Sequence, residues 1–283
     1  MILIDLNQIM IANLMVQIGN HKNSLLDESM IRHMVLNSIR YNRKKFKDIY
    51  GELVICCDDT NLWRKSSFPY YKANRKKARE ESELDWNLIF TSLNRIRDEL
   101  KETFPYKVLQ LRTAEADDVI GVIVHSLGTP LNSGEPILIL SGDKDYIQLH
   151  KYGNVTQYDP VGKRFVTHSD PEFYLREHII KGDKGDGVPN VLSPDNSLVL
   201  NTRQKTLTQG RMADLLAFKN MTTEVERNYA RNKMMIDLSQ IPKDLSAQIL
   251  DEFHKEINKP RGKLMDYFIK HRLSQLLESI GDF

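Results

Sequence analysis

Four short apolar runs in this chain each end in acid. Ile2-Leu3-Ile4 leads to Asp5, and Leu53-Val54-Ile55-Cys56-Cys57 leads to Asp58 and Asp59. Lys107-Val108-Leu109-Gln110-Leu111 is followed by Glu115, Asp117 and Asp118, and Pro136-Ile137-Leu138-Ile139-Leu140 by Asp143 and Asp145. Continuous apolar runs of this length read as buried strands of a parallel sheet. In open α/β sheets ligands bind beyond the carboxyl ends of the strands. The four ends would share one edge, and their carboxylates would converge. Gathered negative charge is costly unless cations neutralise it. Oxygen donors with no His or Cys beside them favour Mg²⁺ or Mn²⁺ over zinc. A pair of such ions clamps the attacking and leaving oxygens of phosphodiester cleavage. Taken singly, each acid has an ordinary explanation as a strand-end turn, a helix N-terminal charge or a cap. Four strand ends doing the same thing is harder to attribute to coincidence.

Two further stretches carry chemistry. In Lys181-Gly182-Asp183-Lys184-Gly185-Asp186-Gly187-Val188-Pro189, Asp183 and Asp186 are spaced to share a face of a helical turn. The glycines there would let backbone N–H groups approach a phosphate; a solvated interdomain turn is the plainer alternative. Residues 64–79 hold Arg64, Lys65, Lys72, Arg75, Lys76, Lys77 and Arg79 without an acid, interleaved with Phe68, Tyr70 and Tyr71 and preceded by Trp63. Cations hold phosphates and aromatic faces stack on bases. A solvated charged loop is the common reading of such a run, but this one follows Asp58-Asp59 and so projects from the rim of the acidic edge.

The elements that would position these residues alternate. Helical patterns run from Ser24 to about Lys47, from Glu83 to Thr103 and from Ala114 to Leu127, with a loop at 128–136 and a strand at 155–158. This alternation predicts an α/β fold, a mainly parallel central sheet flanked by helices. Beyond about residue 170 helical patterns dominate, at 171–180, 210–219, 222–237, 244–257 and 262–280, so a boundary is placed at 165–172. The stretch 276–283 reads as an amphipathic helix packed on its own domain, a partner-binding tail being the alternative. The chain begins at its first strand, which leaves no N-terminal tail for a clamp-binding peptide.

Composition excludes little. The 283 residues are 41% hydrophobic and 28% charged with a net charge of +2, ordinary for a soluble globular protein, so the distribution of charge matters more than its total. Cys56 and Cys57 are adjacent, which disfavours an ordinary disulfide, and no CxxC pair could hold zinc; a reducing compartment is expected. No run approaches a membrane span, and no signal peptide is evident.

Taken together, Ile-Leu-Ile-Asp5, Asp58 before a basic aromatic loop, Glu115-Ala-Asp-Asp118, Ser141-Gly-Asp-Lys-Asp145 and Gly182-Asp-Lys-Gly-Asp186 occur in the order of the flap endonuclease and 5′-3′ exonuclease family. Trp63-Arg64 through Tyr70-Tyr71-Lys72-Ala-Asn-Arg75 and Ala78-Arg79-Glu80-Glu81-Ser82 resemble the branch of the T-even bacteriophage ribonucleases H, and the likeness returns at Pro260-Arg261-Gly262-Lys263. The resemblance implies a PIN-like 5′-nuclease domain at 1–170 with a helical arch at about 62–86, and a helical DNA-binding domain at 171–283 with an acidic Gly-rich element at 181–191. It implies two Mg²⁺ ions, for which Mn²⁺ would substitute. Asp5, Asp58, Asp117 and Asp143 would serve the first ion and Glu115, Asp145, Asp183 and Asp186 the second, with Asp118 a further candidate. Lys72 and Arg75 would polarise the scissile phosphate, Tyr71 would stack on a base, and Arg64, Lys76, Lys77 and Arg79 would bind nucleic acid. The substrates implied are DNA and RNA–DNA duplexes with 5′ ends, flaps or forks, in removal of lagging-strand RNA primers and adjacent DNA. The setting would be the cytoplasm of an infected bacterial host, as a monomer, with a single-strand-binding protein and a sliding clamp as candidate partners. One departure is the polar segment 192–209, which stands where the family has a compact Gly-rich turn and a Lys-Thr helix start; Lys205-Thr206 is its candidate remnant. The departure leaves open the duplex contact and a K⁺ site near 182–190. Two other readings are a single-strand ribonuclease with a related acidic edge, and a DNA-structure binding protein without activity. The basic aromatic stretch argues against the first. The complete acid set argues against the second, because idle carboxylates only repel phosphate.

Overall fold

The computed structural model describes residues 1–20, 27–130, 134–257 and 261–283. The expected helix start at Ser24, part of the 128–136 loop and Pro260 lie outside them.

The apolar runs pair as expected. Strands β1 (Ile2–Asp5), β2 (Leu53–Cys57), β3 (Lys107–Gln110), β4 (Ile137–Leu140), β5 (Val155–Asp159) and β6 (Arg164–Val166) form one sheet in the order β3-β2-β1-β4-β5-β6. All pairs are parallel except β5 with β6. Strand order reverses between β1 and β4, and such switch points open a crevice at the carboxyl ends of the strands. Asp5 closes β1, and Ser141-Gly142-Asp143 follows β4, so the crevice is lined by acid from its origin.

Both faces of the sheet are covered, which is why the strands are apolar throughout. On one face Ile2, Ile4, Leu53, Ile55, Leu138 and Leu140 pack against α1 (Leu6–Asn20), α2 (Glu28–Tyr50) and, beyond the short helices α3 (Trp63–Ser67) and α4 (Asn74–Glu80), against α5 (Trp86–Thr103). On the other face Leu3, Val54, Ile137 and Ile139 pack against α6 (Ala116–Leu127) and a 3-10 helix at Lys144–Lys151. The helical region holds α7 (Pro171–Lys181), α8 (Gln209–Leu216), α9 (Thr223–Ile236), α10 (Lys243–His254), α11 (Lys263–Lys270) and α12 (Ser274–Leu277). It does not stand apart. Leu245 and Ile249 of α10 join the α6 core, and Leu264, Phe268, Leu276 and Phe283 enter the core of the opposite face. Phe283 is fully buried, so 276–283 packs on its own chain, and Arg40 and Lys44 hold Asp282.

Two local expectations are corrected, at 262–280 and at Asp183 and Asp186, and two further stretches take definite form. Helix α1 was not anticipated, because LNQIMIANLMVQIGN has no charged residue at either end and apolar residues on every side. The 262–280 pattern is two helices, broken at Arg272 in the left-handed region. Asp183 and Asp186 sit not on a helical turn but in a tight hairpin bridged by Asp183 and Val188. The polar segment 192–209 is held at several points. Asn190 accepts from Leu192 and donates to the Lys205 carbonyl, while Arg227 and Arg231 both bind Asp195.

Candidate metal centre and nucleic-acid interface

The acids converge. Asp5, Asp58, Asp117, Asp143, Asp145 and Asp186 line one cavity of about 260 Å³, with Lys72 and Arg75 at its rim. Hydrogen bonds hold Asp5, Asp58 and Asp143 in place. The Asp5 carboxylate accepts from the Gln8 N–H at 3.1 Å and from Tyr146 Oη at 3.0 Å. Asp58 accepts from Asn7 Nδ2 at 2.7 Å and from the Ala116 N–H at 2.8 Å, which ties β2 to the start of α6. Asp143 accepts from the Asp145 N–H at 3.0 Å. Buried Gln157 fixes that turn from behind, donating to the Ser141 and Asp143 carbonyls at 2.8 and 2.6 Å.

The electrostatics match a cation-binding cavity. Burial, with the Asp58 charge beside it, pushes Asp5 up to about 7. Burial and Glu115 raise Asp117 well above the carboxylate range, burial and Asp143 do the same to Asp145, and burial raises Asp143. Carboxylates that resist ionisation together are relieved by a multivalent cation. The oxygen donors fit hard divalent ions.

Other expected site residues lie elsewhere. Asp183 lines an adjoining cavity of about 320 Å³ with Asp143, Asp145 and His178. Glu115 and Arg79 line a third, of about 340 Å³, where Lys65, Lys72, Arg75 and Arg97 supply positive charge beside Phe90. Lys76 and Lys77 are exposed on α4, where Lys76 faces Glu80 and Lys77 faces the C-cap residue Glu81.

Three expectations do not hold. Arg64 does not reach for phosphate: its side chain is 1% exposed and pairs with Glu115 and Asp118 at 2.8 Å each. Its Nε donates to the Met235 carbonyl, so one side chain joins α3, α6 and α9. Asp118 does not face the metal cavity. It closes a capping box with Glu115 and accepts from Trp63 Nε1 at 3.0 Å. Tyr71 offers no free face to a base. It is 2% exposed, packs with Phe68, Val188 and Met235, and its single hydroxyl proton lies between Glu115 Oε2 at 3.0 Å and Asp186 Oδ2 at 2.7 Å. Aromatic and guanidinium groups serve equally as anchors, and only packing separates the two uses.

The glycines of the hairpin are likewise used for close packing. A Cβ on Gly182 would lie 2.4 Å from the Val188 carbonyl oxygen, and one on Gly187 2.8 Å from that of Tyr70. The hairpin thereby docks on residues 70–75. The Lys72 N–H donates to the Asp186 carbonyl, Asn74 Nδ2 donates to that of Lys184, and Lys72 and Arg75 pair with the Asp186 carboxylate. Lys72 and Arg64 outweigh burial at Glu115 and hold its carboxyl below the usual range.

Residues not singled out from sequence also belong here. Phe90, Asn94 and Arg97 recur at i, i+4, i+7 on α5, a spacing that marks one helix face. His178 on α7 brings nitrogen to an edge expected to be oxygen-only.

Fold and acidic cavity define the class: a metal-dependent phosphodiester hydrolase on a mainly parallel α/β sheet. Residues 2–179 match the family described as 5′-3′ exonuclease, N-terminal resolvase-like domain, and residues 169–283 match T4 RNase H, C terminal. Ribonuclease H of Enterobacteria phage T4 is 36% identical over 99% of this chain and 95% of its own. A 5′-3′ exonuclease of Buchnera aphidicola subsp. Acyrthosiphon pisum is 25% identical over 73% of this chain and 74% of its own. Among solved structures, T5 5′-exonuclease with bound zinc ions superposes with TM-score 0.62 at 17% identity, covering 89% of this chain and 98% of that one. A T5 D15 flap endonuclease complex with DNA and metal ions superposes with TM-score 0.61 at 18% identity, covering 90% and 99%. The chain belongs to the 5′-3′ exonuclease family.

Proposed function

We propose that this protein is a Mg²⁺-dependent, structure-specific 5′-3′ nuclease that removes RNA primers and adjoining DNA from lagging-strand fragments during phage replication. The observation that carries this reading is the convergence of six carboxylates at the sheet's switch point, in a cavity that Lys72 and Arg75 also line. Residues 1–170 supply the catalytic layer and 171–283 the helical duplex-binding part. Asp5, Asp58, Asp117 and Asp143 would hold one divalent ion, and Asp145, Asp183 and Asp186, with Glu115 behind them, a second. When bound, such ions offset phosphate charge and acidify water. The chain's own residues do the rest. Lys72 and Arg75 orient the scissile phosphate and meet the charge that develops on it. The basic cavity of Lys65, Arg79 and Arg97 receives the 5′ strand beside Phe90, and cations there make affinity fall with salt. Arg64 and Tyr71 hold Glu115 in place rather than touching substrate. The relatives' names, a ribonuclease H and 5′-3′ exonucleases, support the same reading.

The test is a 5′-labelled flap and a matched RNA–DNA hybrid. Short 5′ products should appear with Mg²⁺ and vanish with EDTA. Binding without cleavage under both conditions would remove the enzymatic reading.

A further inference from the structure

His178 lies outside every motif read from the sequence, yet it stands between two carboxylates assigned to the second ion. Its Nδ1 faces Asp145 Oδ1 at 3.4 Å and its Nε2 faces Asp183 Oδ2 at 3.4 Å. The two acids come from different parts of the fold: Asp145 from the 3-10 helix after β4, Asp183 from the hairpin after α7. The ring is itself held, with Tyr174 one helical turn earlier on α7 meeting it edge-on at 5.8 Å, and His168 in turn against Tyr174 at 5.0 Å.

Resting on the two-ion reading above, we infer that His178 is a positioning residue that fixes Asp183 relative to Asp145 and so sets the geometry of the second ion's site. Direct ligation by the ring fits the arrangement less well. A ligating imidazole directs one nitrogen at the ion and commits the other to an outer partner. Here each ring nitrogen faces a different carboxylate at 3.4 Å. That is the arrangement of an outer partner that orients ligands. Groups in such a place usually change metal affinity about 10–100-fold when removed. His178 also spans the junction of the sheet layer and the helical region, so it relates the hairpin to the acidic edge directly.

The experiment is Mn²⁺ binding to the full chain followed by EPR, for wild type, His178→Ala and His178→Gln, with melting of the metal-free proteins in parallel. Wild type should bind two ions. His178→Ala should leave the first affinity unchanged and weaken the second about 10–100-fold. His178→Gln, which keeps an N–H donor, should recover part of that loss. Second-ion affinity unchanged or tightened in His178→Ala overturns the inference, as does a fall in melting temperature with no change in metal binding. Imidazole nitrogen coupling to Mn²⁺ in pulsed EPR of the wild type also overturns it, by making His178 a ligand. A wild-type chain that binds fewer than two ions instead fails the two-ion reading itself, and the inference with it.

Discussion

At the scale of single residues, chemical type was legible in the sequence but orientation was not. Asp117 and Asp118 are neighbours in one helical turn, yet Asp117 lines the acidic cavity and Asp118 is buried against Arg64 and Trp63. Asp117→Asn removes a charge from the cavity at little cost in volume. Cleavage of a flap substrate should fall roughly 10²–10³-fold while DNA affinity is largely kept; near-normal turnover would take Asp117 out of the site. Arg64→Ala makes a different prediction. It takes the shared guanidinium from two buried carboxylates, so urea unfolding should show a loss of about 3–5 kcal/mol. The slope of log Kd against log salt should not change, whereas loss of a phosphate contact would lower it by about 1. Arg64 misled because the residue types that clamp phosphate are also those that pair with buried acids, and burial cannot be read from a basic run.

At the scale of elements, the sheet was legible and its attachments less so. Apolar runs between breakers located β1 to β4, because strands buried on both faces must be apolar. Helix α1 gave no polar contrast, and three-residue β6 is a short edge strand with Arg164 and Phe165 exposed. The hairpin at 182–189 is acidic and Gly-rich in the sequence, but its docking on residues 70–75 depends on contacts made far along the chain. Gly187 carries that docking, with φ of 73° and the Tyr70 carbonyl against it. Gly187→Ala should cost about 1–2 kcal/mol from left-handed backbone alone. It should also slow cleavage by moving Asp186 from Lys72 and Arg75. Gly210→Ala, with open space around it, is the control and should match wild type. Equal cleavage by the two variants would show that the docking is not needed for activity.

For the whole molecule, the last helices are structural members of the first layer. Glu99 on α5 accepts from Arg32 on α2 at 2.8 and 2.7 Å and from Tyr267 on α11 at 2.6 Å. Burial would raise the Glu99 carboxyl, but Arg32 and Tyr267 outweigh it and hold it below its ordinary 4.5. A depressed carboxyl contributes stability above its unfolded value and loses it as pH falls through the folded one. Glu99→Gln should therefore cost about 1.5–3 kcal/mol at pH 7. The gap in melting temperature to wild type should narrow as pH drops below about 4.5; a gap constant with pH would mean that the ion pair adds nothing. The burial of Leu264, Phe268 and Phe283 in the core of one face of the sheet, with Phe268 and Phe283 against Phe104, also has a consequence for synthesis. β3 ends at Gln110 and α11 starts at Lys263, so a ribosome adding roughly 5–20 residues per second needs about 8–30 s to pass from one to the other. For that interval the nascent sheet has one apolar flank without its last cover, and the chain is exposed to aggregation and chaperone capture until its closing helices emerge.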